Sequence, residues 1–300
     1  MTSKVLITGA TGFTGGYLAP KLAEAGYEVH GTVHGETAPN VPGVAHLHAL
    51  DVGEPDAVAR VVSEVLPRKV VHLAAIAFVA HSNVAEMYRA NVLGTRNLLD
   101  ALAMSDSPPA TVLLASSANV YGSARQGVLD ENVPPAPAND YGVTKAAAEL
   151  LAAVYADRLP LIVTRPFNYT GRGQSEDFLI PKIVAHVRRG ATEIELGNLD
   201  VARDFSDVRG VVDAYARLLE VPAAIGRTFN VCSGRATSLG EVIELASRIS
   251  GRKLHVRVNP AFVRADEIKS LRGSAARLES VIGPLGMPPL EETLRWMLGD

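Results

Sequence analysis

The sequence has little of several features that would indicate particular protein classes. It contains one cysteine, Cys232, which excludes an internal disulfide framework and favours a reducing compartment. Its 29 basic and 32 acidic residues leave a net charge of -3, so no nucleic-acid or anionic-membrane surface is indicated. The apolar runs fall short of the ~18 residues that cross a bilayer, and the N-terminus shows no secretory pattern. We therefore expect a cytoplasmic protein that acts on small soluble partners.

The first half of the chain instead alternates short apolar runs with stretches of helical period. KVLIT, FTGGYLAPKLAEAG and YEVHGTV begin this series, and TVLLASS, YGVTKAAAELLAAVYADR and LIVTRP continue it. Strands that are apolar throughout are typical of a parallel sheet covered by helices on both faces. The sequence therefore predicts an α/β fold with a Rossmann-like doubly wound parallel sheet.

The alternation breaks after about residue 168. We assign residues 1–168 to a dinucleotide-binding domain and residues 169–207 and 233–300 to a smaller α/β substrate lobe. VRGVVDAYARLLE and RTFNVC have the pattern of a helix and a strand that return to the first sheet, near 208–232. The substrate lobe is therefore expected to be discontinuous in sequence.

A glycine-rich stretch, TGATGFTGG, places Gly9, Gly12 and Gly15 between the first predicted strand and the first predicted helix. Glycines there allow a tight turn and let backbone N-H groups approach a pyrophosphate at the positive end of the helix. A glycine-rich turn that binds nothing is the alternative. In this strand, loop and helix context, the pattern predicts a dinucleotide cofactor.

The choice of cofactor is read at the end of the second predicted strand, GTVHGE. Val33 offers no acid for a ribose 2'-hydroxyl, and His34 could face a 2'-phosphate, which favours NADP(H) over NAD(H). Asp51 and Val52 close the third predicted strand, where an acid can reach the adenine. The alternative for Asp51 is a cap on the helix that follows.

Three residues form a candidate catalytic set. Tyr141 and Lys145 are four apart in a predicted helix, so their side chains share one face. A cation about 4 Å away supplies roughly the 4 kcal/mol that would bring a tyrosine pKa near 7. Ser117 ends the fifth predicted strand, at the sheet edge where such folds bind ligands, and its hydroxyl can donate to a carbonyl. Singly these are common cap and surface residues; together they are specific.

With these motifs in this order, nearly the whole chain resembles the extended short-chain dehydrogenase/reductase family. The resemblance implies that Tyr141 is the acid/base, that Lys145 orients the nicotinamide ribose and lowers the tyrosine pKa, and that Ser117 holds the reacting oxygen. It also implies a homodimer in which NVAEMYRANVLGT and YGVTKAAAELL form a four-helix bundle with their copies. The expected cofactor-binding residues are Gly9, Thr11, Gly12, Phe13, Thr14, Gly15, His34, Asp51, Val52, Leu73, Ala74, Ala75, Asn91, Tyr141, Lys145 and Pro166.

The second half resembles the GDP-4-keto-6-deoxy-D-mannose reductases of that family, which form GDP-D-rhamnose. The resemblance lies in segments 165–182, 197–220, 229–234 and 263–278. The substrate-binding residues expected on this basis are Ser117, Asn119, Asn168, Arg203, Arg264 and Glu267. An ion pair with Asp204 is the alternative for Arg203, and a structural ion pair is the alternative for Arg264 and Glu267.

Some positions depart from the pattern of those reductases. They usually have a histidine and a proline where this chain has Tyr169 and Arg172. His81, after the fourth predicted strand, is a further candidate for contact with the sugar, and a loop histidine without such a contact is the alternative.

Other kinds of site are not favoured. His46 and His48 share one face of a predicted strand, but no second pair or carboxylate joins them at ligand spacing, so we predict sheet surface and no metal. Cys232 is interpreted as a small apolar residue at a strand end. Ala118 and Asn119 follow Ser117 where related dehydratases have an acid. Because neither residue transfers a proton, dehydration is disfavoured.

The predicted function is NAD(P)H-dependent reduction of the C4 ketone of a nucleotide-linked 4-keto-6-deoxyhexose, converting GDP-4-keto-6-deoxy-D-mannose to GDP-D-rhamnose. A nucleotide-sugar 4-epimerase that keeps its NAD bound would use the same residues and is the alternative. A non-catalytic dinucleotide-sensing protein is a third hypothesis. It is less favoured because Tyr141 and Lys145 are both present.

Overall fold

The structure is a computed structural model that describes residues 2–35, 40–77, 83–122, 127–259 and 270–299. Its strands are β1 (Lys4–Thr8), β2 (Glu28–Val33), β3 (His46–Ala49), β4 (Lys69–His72), β5 (Thr111–Ala115), β6 (Gly127–Leu129), β7 (Leu161–Pro166), β8 (Asn168–Thr170), β9 (Glu193–Leu196), β10 (Ala202–Asp207), β11 (Thr228–Val231), β12 (Ala236–Ser238), β13 (His255–Val258) and β14 (Ser270–Gly273). In the large sheet β11, β7, β5, β4, β1, β2 and β3 lie side by side in that order, and neighbouring strands pair parallel.

The helices are α1 (Phe13–Glu24), α2 (Pro55–Val65), α3 (Val84–Tyr88), α4 (Gly94–Ala103), α5 (Asp140–Tyr155), α6 (Leu179–Arg188), α7 (Val208–Leu218), α8 (Leu239–Ser250), α9 (Ala276–Ile282) and α10 (Leu290–Leu298). A single π-helical segment, Arg89–Leu93, joins α3 to α4. The stretch NVAEMYRANVLGTRNLLDALAM, which reads as one long helix in the sequence, is therefore interrupted at the point where Asn91 lies.

Apolar residues of the large sheet alternate between two buried clusters, because successive side chains of a strand point to opposite faces. Val5 and Ile7 of β1 pack in the cluster formed with α1 and α7. Leu6, between them, belongs to the cluster formed with α2, α4 and α5. Helices cover both faces of a parallel sheet, which confirms the predicted doubly wound α/β class.

A second sheet is formed by β12, β10, β14 and β6 in that order, and β8 also pairs with β10. Strands β9 and β13 pair separately, beside an apolar cluster that contains residues of α6, α8 and α10. Strand β11 joins the large sheet, as expected for a return near 208–232. Strand β6 falls within 1–168 but pairs with β14, so the predicted division of the chain departs from the strand pairing there. Among the described residues, no helix has the length and apolar character needed to span a membrane.

Candidate active site

A cavity of about 670 Å³ opens at the carboxyl ends of the central strands, where β1, β4, β5 and β7 pass into their loops. Residues 168–181 and β10 form its other wall. The predicted catalytic and cofactor-binding residues among those that line it are Gly9, Gly12, Phe13, Thr14, Gly15, Leu73, Ala75, Ser117, Tyr141, Lys145 and Pro166. The structure therefore brings the glycine loop and the candidate catalytic set into one cavity.

The glycine loop is closely packed between β1 and α1. Gly9 has a φ of +71°, and a Cβ atom there would lie 3.0 Å from the backbone of Ala74. A Cβ atom on Gly15 would lie 2.5 Å from the carbonyl oxygen of Ala10. The loop therefore accepts only glycine at both positions, and the first turn of α1 faces the cavity. This arrangement fits a dinucleotide, because a pyrophosphate can approach the backbone N-H groups at the helix start.

Tyr141 and Lys145 lie in the first two turns of α5. The helix begins there because the Asn139 side chain accepts a hydrogen bond of 2.8 Å from the backbone N-H of Gly142. The Lys145 Nζ atom donates to the Ala115 carbonyl at 2.7 Å and lies 5.9 Å from the centre of the Tyr141 ring. Both side chains line the cavity on the same face of α5.

Ser117 lies just beyond β5 and faces Tyr141. Its Oγ atom accepts hydrogen bonds of 3.1 Å from both the backbone N-H and the Nδ2 group of Asn119. Because the oxygen accepts from Asn119, the Ser117 hydroxyl keeps its own proton to donate, and Ser117 also hydrogen-bonds Tyr141. The serine is thus arranged as a donor to an oxygen bound in the cavity.

The protonation of this set differs in one respect from the prediction. Burial raises the pKa of Tyr141 above its ordinary value, and Tyr169 adds to the rise, while a hydrogen bond with Ser117 opposes it. Burial lowers the pKa of Lys145 to about 8, partly offset by Glu149. The expected net lowering of the tyrosine pKa is therefore wrong for this arrangement, because desolvation by burial is the largest influence on it. A tyrosine with a raised pKa stays protonated at neutral pH, as a general acid must.

A buried ion pair holds this corner of the cavity. Glu149 accepts from the Nε and Nη2 groups of Arg165 on β7, at 2.9 and 2.6 Å, and from the Ser116 hydroxyl at 2.5 Å. Arg165 is only 5% exposed. Glu149 lies one turn after Lys145, so the pair fixes α5 against the ends of β5 and β7. The sequence analysis did not identify this network, since Arg165 and Glu149 are 16 positions apart on different elements.

Asn91 links the loop after β4 to the catalytic helix. Its Nδ2 group donates to the Ile76 carbonyl at 3.0 Å and to the Thr144 hydroxyl at 3.1 Å, and its Oδ1 atom accepts from the Ile76 N-H at 2.8 Å. It is 2% exposed and lies outside the cavity lining. This position agrees with a role in supporting α5.

His72, at the end of β4, is a buried group that the sequence analysis missed. Its ring nitrogens lie 2.7 Å from the Thr8 hydroxyl and 3.0 Å from the Thr95 hydroxyl. Burial lowers the pKa of His72 to about 3, so the ring stays neutral. Because Thr8 also accepts from the Ala74 N-H at 3.2 Å, this network supports the loop that contacts Gly9.

Other predicted cofactor-binding residues, Thr11, Val52 and Ala74, do not line the described part of the cavity. His34 is exposed directly after β2. Asp51 accepts from the Gly53 N-H at 2.8 Å and pairs with Arg89, which the sequence analysis did not predict. Asp51 is thus bound into the turn before α2, but it does not cap that helix, whose N-cap is Glu54 without a side-chain cap hydrogen bond.

On the substrate side, Asn119, Asn168 and Arg203 line the same cavity as the catalytic set. Asp204 accepts from the N-H groups of Ser233, Gly234 and Gly273 at 2.9, 3.0 and 3.2 Å, so hydrogen bonds to these donors satisfy its buried carboxylate. Arg264, Glu267 and His81 lie outside the described residues.

Tyr169 accounts for one departure from the reductase pattern. Its ring stacks on Phe13 with centres 6.0 Å apart, and its hydroxyl lies 2.7 Å from the Thr14 hydroxyl. Tyr169 therefore joins the wall at β8 to the first turn of α1. Lining residues that the sequence did not indicate include Asn139, Gln174, Phe178 and Phe205.

The charge of the cavity lining is positive. Lys145 and Arg203 contribute to it, and the described lining residues include no aspartate or glutamate. Cations favour an anionic dinucleotide and a nucleotide diphosphate. No carboxyl group lies beside Tyr141 in this lining, and the other tyrosine of the lining, Tyr169, has its hydroxyl 2.7 Å from that of Thr14, so Tyr141 is the acid that faces Ser117 and Lys145.

Comparisons of the sequence find close relatives. Residues 6–287 match the family described as GDP-mannose 4,6 dehydratase. GDP-6-deoxy-D-mannose reductase of Pseudomonas aeruginosa is 36% identical, with 100% of this chain and 97% of that protein aligned. GDP-6-deoxy-D-talose 4-dehydrogenase of Aggregatibacter actinomycetemcomitans is 34% identical, over 93% of this chain and 91% of that one.

Solved structures agree in fold over almost the entire chain. A Burkholderia cenocepacia protein provisionally assigned as an epimerase has a TM-score of 0.94 and 51% identity, covering 99% of this chain and 97% of that one. The RMD protein of Pseudomonas aeruginosa, complexed with NADPH, has a TM-score of 0.84 and 35% identity, with the same coverage.

Proposed function

The chain belongs to the GDP-mannose 4,6-dehydratase family, within the extended short-chain dehydrogenases/reductases, and we propose that it reduces the C4 ketone of a GDP-linked 4-keto-6-deoxyhexose. It is an NAD(P)-dependent oxidoreductase of that type. The observation that carries the proposal is the single cavity in which Ser117, Tyr141 and Lys145 meet the glycine loop, with no carboxyl group in the described lining.

The glycine loop would hold the pyrophosphate of the reduced cofactor and Lys145 its nicotinamide ribose, and the bound cofactor would supply the hydride. Ser117 donates a hydrogen bond to the C4 oxygen and polarises the carbonyl. As the C-H bond forms at C4, the carbonyl π electrons move to oxygen, which takes the phenolic proton of Tyr141. Lys145, with its pKa of about 8, is mostly cationic at neutral pH and stabilises the phenolate until water reprotonates it.

Reduction fits this site better than dehydration does. Expelling water from the sugar requires a second proton donor and acceptor besides the tyrosine. Ala118 and Asn119 occupy the positions after Ser117, and Asn119 is engaged in hydrogen bonds to the Ser117 oxygen. The chain is therefore assigned to reduction despite the dehydratase name of its family.

The direct test supplies purified protein with GDP-4-keto-6-deoxy-D-mannose and follows the loss of reduced cofactor. We expect one cofactor oxidised per sugar and GDP-D-rhamnose as the product, identified by NMR. Failure to oxidise either reduced cofactor would contradict the proposal. Parallel reactions with dTDP-, UDP- and CDP-linked 4-ketosugars test which nucleotide the enzyme accepts. A marked preference for one of them would make that nucleotide, and not GDP, the carrier in the proposed substrate.

The configuration at C4 is a separate outcome of the same reaction. D-Mannose and D-talose differ only in the configuration at C4. The Pseudomonas relative is named for 6-deoxy-D-mannose, and the Aggregatibacter relative is named for 6-deoxy-D-talose. A GDP-6-deoxy-D-talose product would keep the reaction but reverse the face of hydride delivery. A 4-epimerase would instead retain its NAD through dialysis and interconvert nucleotide sugars without net consumption of cofactor.

For the cofactor we propose NADPH over NADH. Val33 and His34 end β2 without an acid, and the similar RMD structure contains NADPH. We expect a higher kcat/KM with NADPH, and His34→Asp should shift this ratio toward NADH because a carboxylate repels the 2'-phosphate and accepts from a 2'-hydroxyl. An unchanged ratio in this variant would remove His34 from the proposal.

We also propose that two copies pair through α5 and the helical segment 84–103, as a four-helix bundle, in the cytoplasm. Leu150 and Val154 on α5 are each 70% exposed, and Leu93 is 51% exposed. Such apolar faces are typical of interfaces. Light scattering should give a dimer for the wild type and a monomer for Leu150→Lys; a wild-type monomer would contradict the pairing.

A further inference from the structure

Four side chains of metal-ligand type lie on one face of the large sheet at its β3 edge. Glu28 and His30 are two positions apart on β2, and His46 and His48 are two positions apart on β3, so the members of each pair share a face. The parallel register sets His30 opposite His46, with Glu28 two positions before His30 and His48 two positions after His46, so the four side chains form a staggered array across the two strands. Along the sequence, the histidines of β3 have no carboxylate at ligand spacing. The register provides both a carboxylate and a third imidazole.

The distances within this array suit a small divalent cation. The Glu28 Oε1 atom lies 3.0 Å from Nε2 of His30 and 3.6 Å from Nε2 of His46, and three ligand atoms, one from each residue, lie within 4.8 Å of one another. Ligands about 2.0–2.1 Å from a tetrahedral zinc ion are roughly 3.3 Å apart. The two measured separations bracket that value. The third separation, between the ligand nitrogens of His30 and His46, can be shortened by rotation of the exposed His46 ring.

His48 orients the most buried member of the array. Its Nε2 atom lies 3.1 Å from Nδ1 of His30, and its ring stacks on His30 with centres 5.4 Å apart. A histidine that binds a metal usually donates its other ring N-H to a nearby acceptor, which fixes the tautomer. In the structure Nε2 of His30 donates to the Glu28 carboxylate; when the ring proton is instead on Nδ1 and donates to His48, Nε2 presents a lone pair toward Glu28 and His46.

We propose that Glu28, His30 and His46 bind one Zn²⁺ ion, with His48 as a positioning residue and water as the remaining ligand. Two imidazoles and a carboxylate form a donor set that zinc accepts. The His46 side chain is 57% exposed, which gives the ion access from solvent. The site lies at the start of β2, whereas the cofactor cavity lies at the carboxyl ends of the strands. Zinc would therefore stabilise the pairing of β2 with β3 without entering the reaction.

Titration calorimetry of tag-free, chelator-treated protein with zinc chloride tests the proposal. We expect one zinc per chain, and both Glu28→Gln and His46→Gln should weaken binding by at least about tenfold, at the lower end of the losses seen when even supporting residues are removed. His255→Gln is the matched control, because His255 is exposed on β13, outside the array. Circular dichroism checks that each variant is folded. Because His46 is exposed, its substitution is expected to leave the fold intact.

Three outcomes would overturn the proposal. The first is a wild-type protein that takes up no zinc at one per chain, and the second is an unchanged affinity in both array variants. The third comes from cobalt substitution: a thiolate charge-transfer band would assign the ion to Cys232. Visible d–d absorption that is present in wild type, lost in His46→Gln and retained in His255→Gln would support the proposed ligands.

Discussion

The large sheet carries two groups of chemically active side chains that are assembled in different ways. The catalytic corner is formed by Ser117, Tyr141 and Lys145. All three come from one continuous stretch of the chain, from the end of β5 to the first two turns of α5. The histidine edge, formed by Glu28, His30, His46 and His48, comes from two neighbouring strands and depends on their register. A site built along the chain leaves a motif in the sequence, whereas a site built across strands does not.

The two groups also differ in how they are held. The catalytic corner is supported by the buried Arg165–Glu149 pair and by the hydrogen bond from Lys145 to Ala115. The histidine edge is half-exposed and is held by ring stacking and hydrogen bonds among its own members. We therefore expect changes at the corner to affect turnover and folding, and changes at the edge to affect zinc binding, and stability when zinc is present, but not turnover.

The largest effect is expected for Tyr141→Phe, which removes the proton donor and keeps the ring. We expect kcat to fall by about 10²-fold to 10⁴-fold, the range for a general acid, with zinc affinity unchanged. Tyr88→Phe is the matched control, since the Tyr88 hydroxyl bonds Asp140 at 3.1 Å outside the cavity lining. Steady-state kinetics with GDP-4-keto-6-deoxy-D-mannose provide the measurement. Near-normal turnover in Tyr141→Phe would contradict the role of Tyr141 as the acid. It would also contradict the proposed difference between the catalytic corner and the histidine edge.

A second test addresses the support of the corner. Glu149→Gln leaves the Arg165 guanidinium buried without its carboxylate, and breaking a buried pair costs on the order of 3–5 kcal/mol of unfolding free energy. Glu176→Gln is the control, because Glu176 pairs with Arg189 at 2.8 Å while both side chains are 56% exposed, and such pairs contribute little. Urea denaturation measures both. Equal losses in the two variants would show that the buried pair is not what holds the corner.

The sequence predicts those parts of the molecule that are encoded by neighbouring residues. The glycine loop and the pair Tyr141 and Lys145 lie in the predicted strand, loop and helix context, and the doubly wound sheet is confirmed. The pKa of Tyr141 was predicted in the wrong direction, because burial raises it and the nearby Tyr169 adds to the rise, and both depend on the tertiary fold.

What the sequence does not predict depends on pairing between distant segments. Arg89, the first residue of the π-helical segment, pairs with Asp51 of the turn before α2, 38 positions away in the sequence. Arg203 and Phe205 face the cavity because β10 pairs with β8 and β14. Strand register, rather than residue spacing, likewise brings Glu28 to His46. These contacts follow from tertiary packing, for which a single sequence carries no direct signal.

The smallest expected effects come from two adjacent glycines of α1, which separate local packing from the chemistry of the corner. At Gly15 an added Cβ atom would lie 2.5 Å from the Ala10 carbonyl oxygen, whereas at Gly16 it would meet nothing within 4 Å. Gly15→Ala should therefore destabilise the fold by about 1–3 kcal/mol and weaken cofactor binding, because backbone must move. Gly16→Ala should stabilise it by about 0.5–1 kcal/mol, because alanine loses less backbone entropy in a helix.

Thermal unfolding and fluorescence titration with NADPH measure the two glycine variants, and zinc affinity should stay the same in both. Wild-type stability and cofactor affinity in Gly15→Ala would mean that close approach of α1 to the Ala10 carbonyl does not shape the loop. A loss of zinc binding in Gly15→Ala would mean that the two regions are coupled through Ala10, whose Cβ atom lies against Gly31 of β2. Independence is the expected result, because the zinc ligands lie on the α2 side of the sheet and the Gly31 contact lies on the α1 side.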